Sequence, residues 1–323
     1  MSMRTRRLGK TELNLTTVGL GTWAIGGPWQ FGWGPQQDDE SIGAIVEALE
    51  DGINWIDTAP VYGCGHSEEV VGLALKQTSQ KVYLATKCGL LWDEKREKVN
   101  CLKKNSVLKE CDDSLRRLGV DVIDLYQMHW PEPEADMEEG WEAMNLLKEQ
   151  GKVRYVGVSN CSIEQMKRMQ RIAAIDSLQP PYSMMHRGIE DKIIRFCREN
   201  NIGIVVYSPM QRGLLTGKFD HEKLKQLAPD DHRHRSADFQ EPRFSAALEL
   251  VDRLKPLTQR KECSLAQLSI AWTLRWPEVT SAIVGARRSD QIAETSRAMN
   301  VELSELDIRE IESYLNDFES KVS

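Results

Sequence analysis

Asp57, Lys87 and His129 each close a short β-rich run, and Tyr62 follows Asp57 in the loop Thr58-Ala-Pro-Val-Tyr62-Gly63. A carboxylate, an ammonium, an imidazole and a phenol make a proton-transfer set if they meet. A phenol has an ordinary pKa of about 10, so it exchanges protons near neutrality only with help. A buried ammonium beside it favours the phenolate, so Lys87 is expected to lower the pKa of Tyr62. The Asp57 carboxylate would hold that ammonium and offset its desolvation. His129 supplies a second donor. Together the four suit protonation of an oxygen that develops negative charge, as when hydride adds to an aldehyde or ketone. Singly, each has a plainer structural explanation. Three of them at successive strand ends, with Tyr62 in the loop after the first, argue for a site.

The elements that must position these groups are legible as a repeat. β-rich runs occur at Thr17–Gly21, Ile53–Asp57, Val82–Lys87, Val122–His129, Val153–Ser159, Ser177–Gln179, Ile202–Ser208 and Ser281–Gly285. Several are near-continuous apolar runs, as expected for strands covered on both faces. Amphipathic helices lie between them: Ile42, Ile45, Val46 and Leu49 recur at helical spacing before Gly52, and Leu108, Cys111, Leu115 and Leu118 before Gly119. Ser162 and Gln165 form a capping box. Eight such units predict a parallel (β/α)8 TIM barrel, with functional groups at the C-terminal strand ends. A doubly wound sheet would show a Gly-x-Gly-x-x-Gly turn, and Gly63-Cys-Gly65 lacks the third glycine. Residues 1–16 are expected to form an N-terminal hairpin closing the barrel floor. Gly26–Gln37 and Gln211–Arg243 are expected rim loops, the second a mobile polar flap. With no linker composition, residues 1–323 read as one barrel domain.

Composition narrows the class. The chain has 323 residues, 49 acidic against 42 basic, and a net charge of −7, which argues against a nucleic-acid partner. No run approaches the roughly 18 apolar residues of a membrane span, and the charged start is not a secretory signal. Seven cysteines without a Cys-x-x-Cys pair read as reduced thiols of a cytoplasmic protein, so the sequons at Asn14 and Asn160 carry no meaning. Asp231, His232 and His234, with His221 nearby, invite a metal reading, but the intervening arginines favour a polar flap and no metal. Cys64, Cys88 and Cys161 each neighbour a site residue, which raises oxidant sensitivity as a hypothesis against three inert thiols.

Trp23, Trp33, Trp92 and Trp130 fall in or beside rim loops, where flat apolar walls would suit small carbonyl substrates; simple packing is the alternative. Trp55, Trp141, Trp272 and Trp276 read as core or helix-face residues.

The strings Asn54-Trp-Ile-Asp57-Thr-Ala-Pro-Val-Tyr62-Gly63, Ala85-Thr-Lys87, Met128-His129-Trp-Pro131 and Gly157-Val-Ser159-Asn160 resemble the aldo-keto reductase superfamily. So do Tyr207-Ser-Pro-Met-Gln-Arg-Gly213-Leu-Leu-Thr-Gly217-Lys218 and Ile283-Val-Gly285-Ala-Arg287. The resemblance spans essentially the whole chain in order, and is greatest to the bacterial general-stress and inositol-operon reductases. It implies a catalytic tetrad of Asp57, Tyr62, Lys87 and His129, with Tyr62 as general acid, and a nicotinamide cofactor extended across the barrel mouth. It implies that Ser159, Asn160 and Gln179 hold the carboxamide and that Tyr207 stacks on the nicotinamide. It places Gly21, Thr22, Trp23 and Asp57 beside the cofactor. The turn of Ser208, Pro209, Met210, Gln211, Gly213, Leu214, Thr216, Gly217 and Lys218 would wrap the pyrophosphate. Around strand eight, Gly285, Arg287, Arg288 and Gln291 would meet the adenosine phosphate, and Glu294 and Thr295 the adenine.

Two guanidinium groups just before a helix suit a dianionic phosphate, which favours NADPH over NADH. The family often places a Lys-Ser pair where this chain has Gly285-Ala286, and an arginine where it has Gln291. The expected function is therefore NADPH-dependent reduction of aldehydes and ketones. A cofactor-binding regulatory module of the potassium-channel β-subunit type is the alternative, disfavoured by the intact tetrad and the little sequence ahead of the barrel. A metal-dependent barrel hydrolase using Asp57 and His129 lacks further ligands.

Overall fold

Period-two alternation organises the centre of the chain. In the computed structural model, Tyr83 and Ala85 pack with one set of apolar residues while Leu84 and Cys88 pack with another. Leu125 and Tyr126 divide in the same way. A strand whose two faces are both apolar needs cover on both sides. The fold supplies it by closing the sheet on itself and wrapping it in helices.

The structure describes residues 3–229 and 231–322. Residues 1, 2, 230 and 323 lie outside the described residues, and with them the first two positions of the expected hairpin and one position of the expected flap.

The barrel strands are β1 (Val18–Gly21), β2 (Trp55–Asp57), β3 (Tyr83–Cys88), β4 (Ile123–Met128), β5 (Val153–Ser159), β6 (Ser177–Gln179), β7 (Gly203–Tyr207) and β8 (Val279–Gly285). They form one closed parallel barrel in sequence order, β8 pairing β1 through Gly285 opposite Gly21. This is the (β/α)8 TIM barrel that the repeat predicts. His129 and Ser208 fall one residue past their strands rather than within them, and β8 begins two residues earlier than expected.

The N-terminal hairpin pairs Thr5–Arg7 with Asn14–Thr16. Its Leu8, Leu13 and Leu15 are buried with Trp55, Leu125 and Val205, which fills the barrel interior from below. Trp55 lies inside the barrel, its Nε1 donating to Thr16 O at 3.2 Å and to Ser281 Oγ at 3.1 Å. It fits only because β1 presents Gly19 there: a Cβ on Gly19 would stand 2.0 Å from the Trp55 ring. Trp141 and Trp272 are buried in the outer layer, and Trp276 packs against it half-buried.

Local signals behave as expected. Gly119 takes a left-handed conformation after the helix Lys104–Leu118 and donates to Leu115 O. Ser162 and Gln165 form the reciprocal cap of Ile163–Gln170. The segment 211–243 differs from a loose flap. It contains short helical turns, and Asp238 within it accepts from Arg243 Nε at 2.7 Å while Asp231 accepts from Arg233 Nη2 at 2.6 Å. A second feature escaped the periodicity: an antiparallel hairpin on the rim, Leu90–Trp92 with Lys98–Asn100. No helix among the described residues is long and apolar enough to cross a membrane.

Gly19→Ala should lower stability by about 1–3 kcal/mol through overpacking against Trp55. Gly43, inside the helix Asp38–Glu50 with open space at its Cβ position, should gain up to about 1 kcal/mol on replacement by alanine. Urea unfolding midpoints check both, and equal signs for the two variants would contradict the packing.

Candidate active site

The same alternation that turns half-buried Tyr83 and buried Ala85 toward the barrel interior carries Lys87, two residues on, to the inner face of its mouth. Register does the rest, pairing Gly21 with Asp57, Asp57 with Ala85, Lys87 with Gln127, and Ser159 with Gln179. The polar strand-end residues therefore form one inward layer above the Trp55 plug.

Lys87 is completely buried, and its Nζ donates to Asp57 Oδ1 at 2.6 Å, Thr58 O at 2.9 Å and Tyr62 Oη at 3.3 Å. The other carboxylate oxygen, Asp57 Oδ2, accepts from Gln179 Nε2 at 2.8 Å and Gln127 Nε2 at 3.2 Å. Every charged atom of the pair is thus satisfied, the condition for burying an ion pair without a large penalty. Tyr62 reaches Lys87 because its loop turns back over the opening, and its ring meets His129 edge-on at 5.7 Å.

The electrostatics correct one expectation. Burial, the largest influence on Tyr62, pushes the phenol up; Lys87 pulls it down, and Asp57 pushes it up again. The net pKa is raised above 10, not lowered, so the phenol keeps its proton through neutral pH. Burial alone would discharge Lys87, but Asp57 and Tyr62 reverse this and hold the ammonium above its ordinary range. Burial, then Lys87 and Lys98, drive His129 well below 6.5, so it is a neutral imidazole. Its Nδ1 is buried without a partner.

These groups sit at the base of a cavity of about 360 Å³. Of the sequence-predicted residues, Gly21, Thr22, Trp23, Asp57, Tyr62, His129, Ser159, Asn160, Gln179, Tyr207, Ser208, Pro209, Met210, Gly213 and Gly285 line it. Ser159 Oγ donates to Gln179 O, Asn160 Nδ2 to His129 O and Ser159 Oγ, and Tyr207 Oη to Asn160 Oδ1 at 2.8 Å. After β7 the chain doubles back through left-handed residues at Ser208, Gln211 and Arg212, and Asn160 is left-handed as well. Such conformations cost on the order of 1 kcal/mol each and collect at functional sites.

Other predicted residues lie away from the opening. Gln211 accepts from Ser183 Oγ and pairs with Asp238, while Leu214 is fully buried. Thr216 donates to Gly213 O, Gly217 is a left-handed cap, and Lys218 pairs with Glu294 at 3.4 Å. The strand-eight cations are also engaged. Arg287 binds Gln36 Oε1 and the carbonyls of Trp33 and Pro35, and Arg288 pairs with Asp290 at 2.9 Å. Gln291 accepts from the Arg287 N–H, and Thr295 Oγ1 donates to Gln291 O.

Trp23, Trp33 and Trp130 line the cavity, with the Trp23 and Trp33 rings 5.6 Å apart. Trp92 does not: its hairpin turns it into a separate cavity of about 200 Å³ beside Pro60, Glu110 and Arg117. Trp29, Phe31, Leu90, Lys98 and Arg212 also line the active-site cavity and carry no sequence signal for it, and His232, read from the sequence as part of a polar flap, lines it too. Gln127 is not conspicuous either, although alternation from His129 backward through 127 and 125 marks it as inward-facing. Cys88 and Cys64 are pushed up by burial, and Cys161 to about 12, so they are protonated thiols rather than reactive thiolates.

Residues 17–316 match the model of the aldo/keto reductase family. The chain is 38% identical over 313 residues to an aldo-keto reductase of Bacillus subtilis, covering 96% of this chain and 93% of that one. It is 35% identical over 314 residues to the NADH-specific methylglyoxal reductase of Escherichia coli, covering 93% and 94%. Its fold is similar to the solved structure of a glycerol dehydrogenase from Gluconobacter oxydans, with a TM-score of 0.89, 37% identity, and coverage of 98% and 97%.

One buried acid supports the rim. Glu110 accepts from the Gly89 N–H at 2.9 Å, the residue that follows β3 and opens the rim hairpin, and from Ser106 Oγ at 3.1 Å. Burial pushes its carboxyl up to about 7 against those bonds. A raised carboxyl pKa favours folding fully below its unfolded value, about 4.3, and that contribution is lost as pH rises through about 7. Glu110→Gln keeps an acceptor for Gly89, so its stability relative to the native chain should improve by about 2–3 kcal/mol between pH 4 and pH 8. Denaturant titrations at the two pH values check this, and a pH-independent difference would contradict it.

Proposed function

The chain belongs to the aldo/keto reductase family, and from that premise we propose that it reduces aldehydes and ketones to alcohols with a nicotinamide cofactor, Tyr62 acting as general acid. The observation that carries the reading is the unbroken contact from Asp57 through Lys87 to the Tyr62 hydroxyl at the base of an open cavity.

The residues present fit the cofactor. Gly21 and Gly285 face inward, and a Cβ on Gly285 would meet nothing nearer than 4.0 Å, so open space is kept at the mouth. Gln179 Oε1 and the remaining lone pairs of Ser159 Oγ and Asn160 Oδ1 are acceptors, suited to the amino group of a primary carboxamide. Tyr207, fixed by its bond to Asn160, offers a flat ring beside them. When bound, a reduced nicotinamide supplies the hydride that adds to the carbonyl carbon.

As negative charge develops on the carbonyl oxygen, Tyr62 Oη transfers its proton to it and is left as phenolate. The Lys87 ammonium, 3.3 Å away, stabilises that phenolate. Asp57 keeps the ammonium charged and aimed. Neutral His129 donates an N–H toward the same oxygen without competing for the proton. The raised pKa of Tyr62 is therefore an asset in this direction, since an acid must hold its proton until the transition state.

NADPH over NADH is part of the proposal. The Escherichia coli relative is named for NADH, so the preference here rests on this chain's own cations. Arg287 is tied to the rim loop, which leaves exposed Arg288, before the helix Ser289–Ser296, as the group to meet a phosphate in exchange for Asp290. The reduced cysteines support a cytoplasmic setting, with a small carbonyl compound as the partner.

Tyr62→Phe should lower reductive kcat by about 10²–10⁴-fold, while fluorescence titration gives unchanged Kd values, tighter for NADP+ than for NAD+. Near-normal turnover in the variant would remove Tyr62 from the acid role.

A further inference from the structure

The substrate end of the cavity is apolar on most sides: Trp23, Trp29, Phe31, Trp33, Trp130 and Leu90 supply its walls. Against these stands one exposed cation, Lys98, on the rim hairpin. The hairpin is fixed at three points. Its root is held by Glu110 at the Gly89 N–H, its tip by Arg96 Nη2 donating to Gly63 O at 3.1 Å, and Lys98 itself by its N–H to Gln30 Oε1 at 3.0 Å. The backbone that carries the cation is therefore fixed beside the cavity and is not part of a loose loop.

Nothing in the cavity neutralises it. Among the lining residues the carboxylate is that of Asp57, already committed to Lys87, Gln127 and Gln179. Among the described residues, the Lys98 ammonium has no acidic partner within ion-pair distance. Its charge acts on the reaction centre itself, helping to keep His129 neutral. An exposed cation without a carboxylate partner, near half-buried Arg212 whose Nη1 donates to Ser236 Oγ, attracts anions to an apolar mouth on a molecule that is otherwise net negative.

We propose that Lys98 selects the substrate: the cavity takes carbonyl compounds that carry an anionic group, a carboxylate or a phosphate, away from the carbonyl. Apolar walls hold the body of the molecule, Lys98 meets its charge, and the carbonyl lies against Tyr62 and His129. This rests on the reductase reading above and adds to it the class of substrate.

The test is a ratio of kcat/KM for charged and neutral aldehydes, measured with wild type, Lys98→Met, Lys98→Glu and Lys98→Arg. One arm uses 4-carboxybenzaldehyde against 4-methylbenzaldehyde. The other uses glyceraldehyde 3-phosphate against glyceraldehyde, and the arm with the larger ratio identifies the anion. Because ratios are compared between variants, the intrinsic reactivity of the paired aldehydes cancels. The wild type should favour the charged member of at least one pair by about three- to tenfold at low salt, less at high salt. Lys98→Arg should keep that preference, Lys98→Met should bring the ratio down by the same factor, and Lys98→Glu should bring it lower still. The change should fall on KM of the charged aldehyde rather than on kcat. Turnover of the neutral aldehydes with no salt-dependent preference for the charged ones, or a preference that survives Lys98→Met, overturns the assignment of Lys98 alone. No cofactor oxidation with any of the four overturns the reductase reading itself.

Discussion

The site depends on one buried ammonium. Lys87 has no contact with solvent, and an isolated charge there would be discharged by its surroundings. Asp57 at 2.6 Å prevents this, and Asp57 in turn is held by two glutamine amides that arrive from β4 and β6. None of these groups is adjacent in sequence. The closed barrel brings them into one layer because parallel register and two-residue alternation fix which side chain of each strand points inward at a given height. Removing one partner would strand the others, so the arrangement acts as a unit.

Burial and that cation together set the states of the neighbours. Burial, and after it the same positive charge that stabilises the developing phenolate, lowers the basicity of His129, so the imidazole stays neutral beside it. For Tyr62, burial outweighs the cation and the phenol holds its proton at rest. The effect of Lys87 is then felt most when negative charge appears on the phenol oxygen, which is the condition for stabilising a transition state more than a ground state. Below this layer the plug of Trp55, Leu8, Leu13 and Leu15 closes the barrel interior, so the polar groups face a cavity with one open side.

Much of this was legible in the sequence for a physical reason. A strand covered on both faces must be apolar nearly throughout, so Asp57, Lys87 and Gln179 at the ends of such runs stood out by contrast, and the eightfold repetition of run and helix left one economical topology. Gln127 was less visible because it lies within β4 and looks like an ordinary interruption; only counting back from His129 reveals its face. The rim was hardest. Three-residue strands such as Leu90–Trp92 carry too little periodicity to register, which is why Trp92 was expected at the mouth and Lys98 was overlooked. Ion pairing between distant loops is equally invisible: composition placed Arg287 and Arg288 beside a phosphate, while the fold gives the first to Gln36 and the carbonyls of Trp33 and Pro35. The pKa of Tyr62 is not legible in the sequence, which shows the neighbouring charge but not the depth of burial that opposes it.

The ionisation of Lys87 tests the account most directly. Lysine-specific ¹⁵N NMR, with the Lys87 resonance assigned by substitution, reports whether Nζ is an ammonium or an amine as pH is raised from 6 to 11. The account predicts an ammonium in the native protein beyond the ordinary lysine range, and its loss at far lower pH in Asp57→Asn, where burial is no longer opposed by a carboxylate. An amine at neutral pH in the native protein, or identical titrations in the two, would contradict it.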